Sequence, residues 1–170
     1  MKFTTVLLDT NVVSGLLDEN KNKSSLWTKT LQILCSSLTN YELIVPTPVC
    51  FELKQGSKYW VENIPHIDPA MFRYSGAPIQ TSILSLAATY LRNCLGEMKS
   101  VNRSEARKIS LIDAFIASYA LQFHMLIVTK NQKDFPEKYF AVEHMVLAPQ
   151  TSAIAPREIM FLLRPRQGNI

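Results

Sequence analysis

Two spacings of apolar residues alternate along this chain: short uninterrupted runs, and stretches that repeat at helical intervals. Val6-Leu7-Leu8 stops abruptly at Asp9-Thr10-Asn11, and Met125-Leu126-Ile127-Val128 stops the same way at Thr129-Lys130-Asn131, with Asp134 just beyond. Short apolar runs that end in polar residues predict buried parallel strands delivering side chains to one sheet edge. Strands are therefore expected at about Phe3 to Leu8, at Leu43-Ile44-Val45 ending in Pro46, at Leu126 to Thr129, and near Met145-Val146-Leu147. Between them Leu26, Leu31, Ile33, Leu34 and Leu38 recur at helical spacing. Thr47-Pro48 supplies an N-cap and a proline at the first helical position, and Gly56 can close that helix. A further helix is predicted from Ile83 to Met98, with Ile83, Leu84, Ala87, Ala88, Leu91 and Leu95 on one face. Another runs from Leu111 to His124, lined by Ile112, Ile116, Ala117, Ala120 and Leu121, and a last helix is expected after Pro156. The stretch from Ser57 to Gln80 is the least regular, although Asp68-Pro69 reads as a capped helix start.

Strands separated by helices predict an α/β fold in three layers, α/β/α, around a small, mostly parallel central sheet. The expected organisation is one domain over residues 1–150 and a helical tail over 151–170. In that tail Met160, Phe161, Leu162 and Leu163 lie beside Arg157, Arg164 and Arg166, a pattern suited to packing on the domain or on a partner.

Composition narrows the chemistry. Lys and Arg outnumber Asp and Glu by 18 to 14, a mild basic bias that permits an anionic partner without requiring one. Cys35, Cys50 and Cys94 are far apart and form no Cys-x-x-Cys pair, so a disulfide framework or zinc site is not expected, and a reducing, cytoplasmic setting is. His66, His124 and His144 show no metal-type spacing. The first apolar run is too short for a signal peptide, and no stretch approaches the ~20 apolar residues of a membrane helix.

What remains is a set of acids. Asp9 ends a buried strand, where an unpaired carboxylate is costly, so it must be solvated, hydrogen-bonded or bound to a cation. Capping of the following helix or turn accounts for it equally well. Glu52 sits one turn into its helix among Val49, Cys50, Phe51 and Leu53; the plain alternative is a solvated helix residue. Asp113 follows Ser110 at capping-box spacing, which is a sufficient structural account by itself. Asn131 and Asp134 follow the strand after that helix, and Asp134 could instead cap a turn. Singly each has an ordinary explanation; jointly they gather at one end of the predicted sheet, where open α/β sheets bind ligands. Oxygen donors without Cys or His favour Mg²⁺ or Mn²⁺, which suits hydrolysis at phosphorus. A Gly-rich phosphate loop is absent.

These residues also resemble a known family. Val6-Leu7-Leu8-Asp9-Thr10-Asn11-Val12-Val13-Ser14 is similar to the opening motif of PIN-domain nucleases, and Phe51-Glu52-Leu53-Lys54-Gln55-Gly56 to the second. The run from Asp113 to Leu121, then Leu126 to Asn131 with Asp134-Phe135, resembles the third and fourth. Order and spacing match the VapC-type toxins of toxin–antitoxin pairs. The resemblance implies a Mg²⁺- or Mn²⁺-dependent endoribonuclease in which Asp9, Glu52 and Asp113 are the core acids. Asn131 stands where many members carry Asp, with Asp134 further on, and Thr10, Asn11 and Thr129 are supporting polar groups. It also implies an RNA substrate, an antitoxin partner and a homodimer. Lys99, Arg103 and Arg107 recur every four residues and could face substrate phosphates, or form a solvated basic face. Tyr59, Trp60, Phe72 and Tyr74 are candidate stacking platforms for single-stranded RNA, or ordinary core residues. Two alternatives stand beside the nuclease: a weak or inactive PIN domain that binds RNA or protein, and a phosphohydrolase acting on small esters. Against the second, no Asp lies two residues after Asp9.

Overall fold

Leu126, Ile127, Val128 and Thr129 are all buried, which requires cover on both faces, since alternate strand residues point to opposite sides. That strand lies inside a six-stranded sheet. A computed structural model describes residues 4–22, 26–56, 72–74, 79–98, 109–149 and 158–166. Its elements are β1 (Thr4–Leu8), α1 (Thr10–Asn22), α2 (Leu26–Leu34), β2 (Tyr41–Val45), α3 (Thr47–Gly56), β3 (Phe72–Tyr74), α4 (Thr81–Met98), α5 (Leu111–Phe123), β4 (Leu126–Thr129), a 3₁₀ turn (Gln132–Asp134), β5 (Phe140–Leu147) and β6 (Ile159–Pro165).

The strand order is β3-β2-β1-β4-β6-β5. β1 is parallel to β2 on one side and to β4 on the other, with Val6 opposite both Leu43 and Leu126. β6 runs antiparallel to both β4 and β5, so the other five strands share one direction. The sheet is thus mostly parallel and the fold is the expected three-layer α/β/α arrangement. Because β1 and β4 are in register up to Leu8 opposite Val128, the residues after them, Asp9 and Thr129, emerge side by side at the carboxyl edge.

Three expectations need correction. The segment after Pro156 is not a helix: Ile159–Pro165 is a strand inserted between β4 and β5. Its apolar run, Ile159-Met160-Phe161-Leu162-Leu163, suits either conformation locally. Pairing with Val128 and Ile127 on one side and with the length of β5 on the other decides it. The expected tail is therefore a sheet member where it is described. Second, the stretch from Ser57 to Gln80 contains a parallel edge strand, β3, too short for periodicity to reveal; the helix start at Asp68-Pro69 lies outside the described residues. Third, helix faces were rotated. In α4 the buried residues are Ile83, Ala87, Tyr90 and Cys94, with Leu84 47% exposed, because the aromatic ring and the thiol, not the leucine, face the core. In α2 Trp27, Thr30, Leu31 and Leu34 are buried while Leu26 and Ile33 face solvent.

α1 and α2 meet at a close approach. A β-carbon on Gly15 would lie 2.3 to 2.6 Å from ring atoms of Trp27. The indole occupies the space a side chain would need, and its ring also lies 5.4 Å from the ammonium of Lys130, just past β4. Replacing Gly15 with Ala is expected to destabilise the fold by about 1–3 kcal/mol, the usual cost of overpacking. Chemical denaturation checks this, and an unchanged midpoint would contradict the packing described.

Candidate active site at the carboxyl edge of the sheet

Asp9 follows β1 with its backbone N–H on the Val128 carbonyl at 3.0 Å, which locks it beside β4. It precedes α1 at the N-cap position, yet its carboxylate does not cap in the usual way. The amides of Val12 and Val13 bond to the Asp9 backbone carbonyl. The carboxylate instead accepts from Thr10 N–H (2.6 Å), Asn11 Nδ2 (2.5 Å) and Thr129 Oγ1 (2.6 Å). It is 3% exposed. A capping carboxylate would bond amides two or three residues on; this one is turned toward the neighbouring strand.

Asn11 ties the two strand ends together. Its Oδ1 accepts from Lys130 N–H at 3.0 Å while its Nδ2 donates to Asp9 and, at 3.3 Å, to Thr129 Oγ1. Thr129 Oγ1 also accepts from Asn131 N–H at 2.9 Å. Thr10, Asn11 and Thr129 thus each hydrogen-bond directly to an acid at this edge, Thr10 to both Asp9 and Glu52 and the other two to Asp9. The side chain of Lys130 leaves the site, pairing with Glu158 at 2.6 Å.

Glu52, half-buried on α3, accepts from Thr10 Oγ1 at 2.5 Å. Phe51 beside it is 57% exposed, so the turn around Glu52 is less enclosed than its apolar neighbours suggested. Asp113 forms the capping box read from sequence: its N–H donates to Ser110 Oγ, and its Oδ2 accepts from Ser110 N–H and Ser110 Oγ. The cap and a pocket role coexist, since Asp113 also lines the cavity. Asn131 Nδ2 donates to Asp134 Oδ2, and Asp134 is buried.

These residues line one cavity of about 320 Å³: Asp9, Thr10, Asn11, Glu52, Ser110, Asp113, Asn131 and Asp134. All four expected carboxylates are there, and none of the described residues that line it is basic. Lys99, Arg103, Arg107, Tyr59 and Trp60 lie outside the described residues, and only the backbone of Phe72 and Tyr74 is described. Sequence reasoning treated Ser110 only as a cap and missed Tyr90, whose hydroxyl donates to the Asp134 carbonyl at 3.0 Å across 44 residues. No local pattern could signal a partner at that separation.

Burial pushes the Asp9 carboxyl from an ordinary 3.8 up to about 7. The Thr129 hydrogen bond pulls it down, the Asp113 charge pushes it up, and Thr10 and Asp134 add smaller effects of opposite sign. Desolvation and the negative neighbours thus favour the protonated form of Asp9, while its hydrogen bonds from Thr129 and Thr10 favour the carboxylate.

No protein-family model and no curated protein matches the chain. Solved structures of similar fold include two VapBC structures. One is VapBC2 from Rickettsia felis bound to a DNA fragment from its promoter: 22% identity, TM-score 0.51, covering 76% of this chain and 89% of that one. The other is VapBC-1 from nontypeable Haemophilus influenzae, at 22% identity and TM-score 0.51, covering 77% of this chain and 90% of that one. The chain has a PIN-like fold.

Within this PIN-like fold the donor set fits a hard divalent cation by its chemistry: four carboxylates with amide and hydroxyl oxygens, and an Asp9 pKa raised chiefly by burial and further by the charges of Asp113 and Asp134. Among the described residues, however, no three Asp, Glu, His or Cys side chains form a closed metal-binding group. The acids are held by Thr10, Ser110, Asn131 and Thr129. An ion that keeps part of its water shell, as Mg²⁺ does, matches an open set of this kind.

The raised Asp9 pKa has a definite sign. A carboxyl whose folded pKa lies above its unfolded value favours the protonated folded state. Metal-free stability is therefore expected to fall as pH rises from about 4 through about 7. Asp9→Asn should remove that component of the slope, and Mn²⁺ should stabilise the wild type more at pH 8 than at pH 6. Urea unfolding at a series of pH values checks both; parallel wild-type and Asp9→Asn profiles would contradict the assigned burial effect.

Proposed function

We propose that this protein is a Mg²⁺- or Mn²⁺-dependent endoribonuclease of the toxin type that hydrolyses RNA phosphodiester bonds. The observation that carries the reading is the convergence of Asp9, Glu52, Asp113 and Asp134 on one cavity at the carboxyl edge of a PIN-like sheet. Their four-motif resemblance to PIN nucleases supports it, as does the fold likeness to VapBC complexes.

Asp9, Glu52, Asp113 and Asp134 would hold the metal. Once bound, it would lower the pKa of a water and offset negative charge on the phosphate being attacked. The chain's own contribution is orientation and charge. Thr129 and Asn11 fix the direction of Asp9, and the Thr129 bond favours the carboxylate against the burial that raises its pKa, since the carboxyl must give up its proton before it binds a cation. Thr10 fixes Glu52 through its hydroxyl. Asn131 fixes Asp134 and adds a neutral oxygen where a further carboxylate would raise the repulsion. The cavity's carboxylates disfavour an RNA phosphate until a cation is present, which supports a metal requirement for cleavage.

We also propose a protein antitoxin as partner, since both similar structures are VapBC assemblies, and a homodimer as the working form, from the family resemblance alone. The contrary reading, an inactive binding module, is favoured by one observation: Asn131 lines the cavity where many PIN nucleases carry Asp, which removes one carboxylate from the set.

Incubating purified protein with assorted RNAs separates the two. Cleavage is expected with Mn²⁺, none with a chelator. Asp9→Asn and Asp113→Asn should each lose more than the about 10–100-fold that follows removal of a supporting hydrogen bond. Circular dichroism controls for the cap that Asp113 also makes. Undiminished cleavage by folded Asp9→Asn would overturn the assignment, and no Mn²⁺-dependent cleavage of any RNA would favour the binding module.

A further inference from the structure

Behind the cavity, one buried side chain touches the acid loop from another layer. Tyr90 lies on the core face of α4 and is 1% exposed. Its hydroxyl donates to the Asp134 carbonyl. Asp134 closes the three-residue 3₁₀ turn Gln132–Asp134, in which Asn131 stands at the N-cap without a side-chain cap bond. The turn's backbone bonds are Asp134 N–H to the Asn131 carbonyl (3.2 Å) and Phe135 N–H to the Gln132 carbonyl (2.9 Å). Hydrogen-bond geometry in 3₁₀ turns is poorer than in α-helices, so contacts from outside add to the definition of so short a turn.

Asn131 N–H on Thr129 Oγ1 anchors the start of the turn, and the Tyr90 hydroxyl anchors its end. The ring is fixed by Tyr139, with centroids 5.1 Å apart and planes tilted by 50°. Tyr139 differs in one respect: its buried hydroxyl has no hydrogen-bond partner among the described residues. Two adjacent tyrosines thus share a packing environment, and one of them bonds the acid loop.

We propose that Tyr90 is a positioning residue for the acidic cavity, holding the Asp134 carbonyl so that Asn131 and Asp134 face Asp113 and Asp9 in a metal-receptive arrangement. This rests on the metal-site reading given above. The Tyr90 hydroxyl acts through the backbone and touches neither the ion nor the substrate.

The test compares wild type, Tyr90→Phe and Tyr139→Phe by calorimetric titration with Mn²⁺ alone, together with amide hydrogen exchange. Tyr90→Phe keeps the ring packing. It is expected to remain folded, to bind Mn²⁺ about 10–100-fold more weakly, and to exchange the Asp134 and Phe135 amides faster. Tyr139→Phe removes a hydroxyl that bonds nothing described and should keep wild-type affinity with equal or higher stability. Wild-type affinity or unchanged exchange in Tyr90→Phe would overturn the proposal. So would equal weakening by Tyr139→Phe, which would assign the effect to packing, or an unfolded Tyr90→Phe, which would make the hydroxyl a general stability element. If the wild type binds no Mn²⁺, the metal-site reading fails and the positioning role falls with it; if the wild type binds and Tyr90→Phe matches it, only the positioning role fails.

Discussion

The parallel pairing of β1 with β4 places a carboxylate where water scarcely reaches. Leu8 opposite Val128, and the bond from Asp9 N–H to Val128, leave Asp9 no freedom to turn out to solvent. Its charge is instead met by three short hydrogen bonds from Thr10, Asn11 and Thr129. Those donors do not fully replace hydration, which is why the pKa stays near neutrality. The other features of the site follow from this junction. Asn11 must bridge both strand ends, Thr129 must point inward, and Lys130 must leave its backbone amide facing Asn11.

Around that junction, each remaining acid is held by a neighbour from its own or an adjoining element. Ser110 holds Asp113 within one helix start, Asn131 holds Asp134 within one turn, and Thr10 reaches across from α1 to Glu52 on α3. Four separately restrained carboxylates around one cavity are mutually repulsive without being a finished cage. On the proposed metal-site reading, such an open arrangement would favour positive charge and leave room for water around a bound cation. It also separates tasks: Asp113 contributes to the stability of α5 through its cap while facing the cavity, so the fold and the site draw on the same side chain.

Much of this was legible before any coordinates. The strands ending at Asp9 and Thr129 carried their message in a run of apolar residues stopped by polar ones, because strands buried on both faces admit little else. Ser110 and Asp113 carried theirs in capping-box spacing. What sequence could not convey was set by distant partners. Ile159–Pro165 became a strand because β4 and β5 each offered an edge to it, and Phe72–Tyr74 was too short to show a period. The α4 face was misread because Tyr90 and Cys94 take core positions that Leu84 might have filled. Whether Asp9 capped a helix or faced a cavity was undecidable locally, since the answer lies in Thr129, 120 residues away.

The claim on which everything functional depends is that this cavity takes a divalent cation on its carboxylates. An anomalous-diffraction measurement on crystals soaked in Mn²⁺ addresses it directly. The account predicts a manganese peak inside the cavity, within about 2.0–2.3 Å of carboxylate oxygens that include Asp9, with waters completing its shell. A cavity without a peak at saturating Mn²⁺, its acids still bonded to Thr10, Ser110, Asn131 and Thr129, would contradict it.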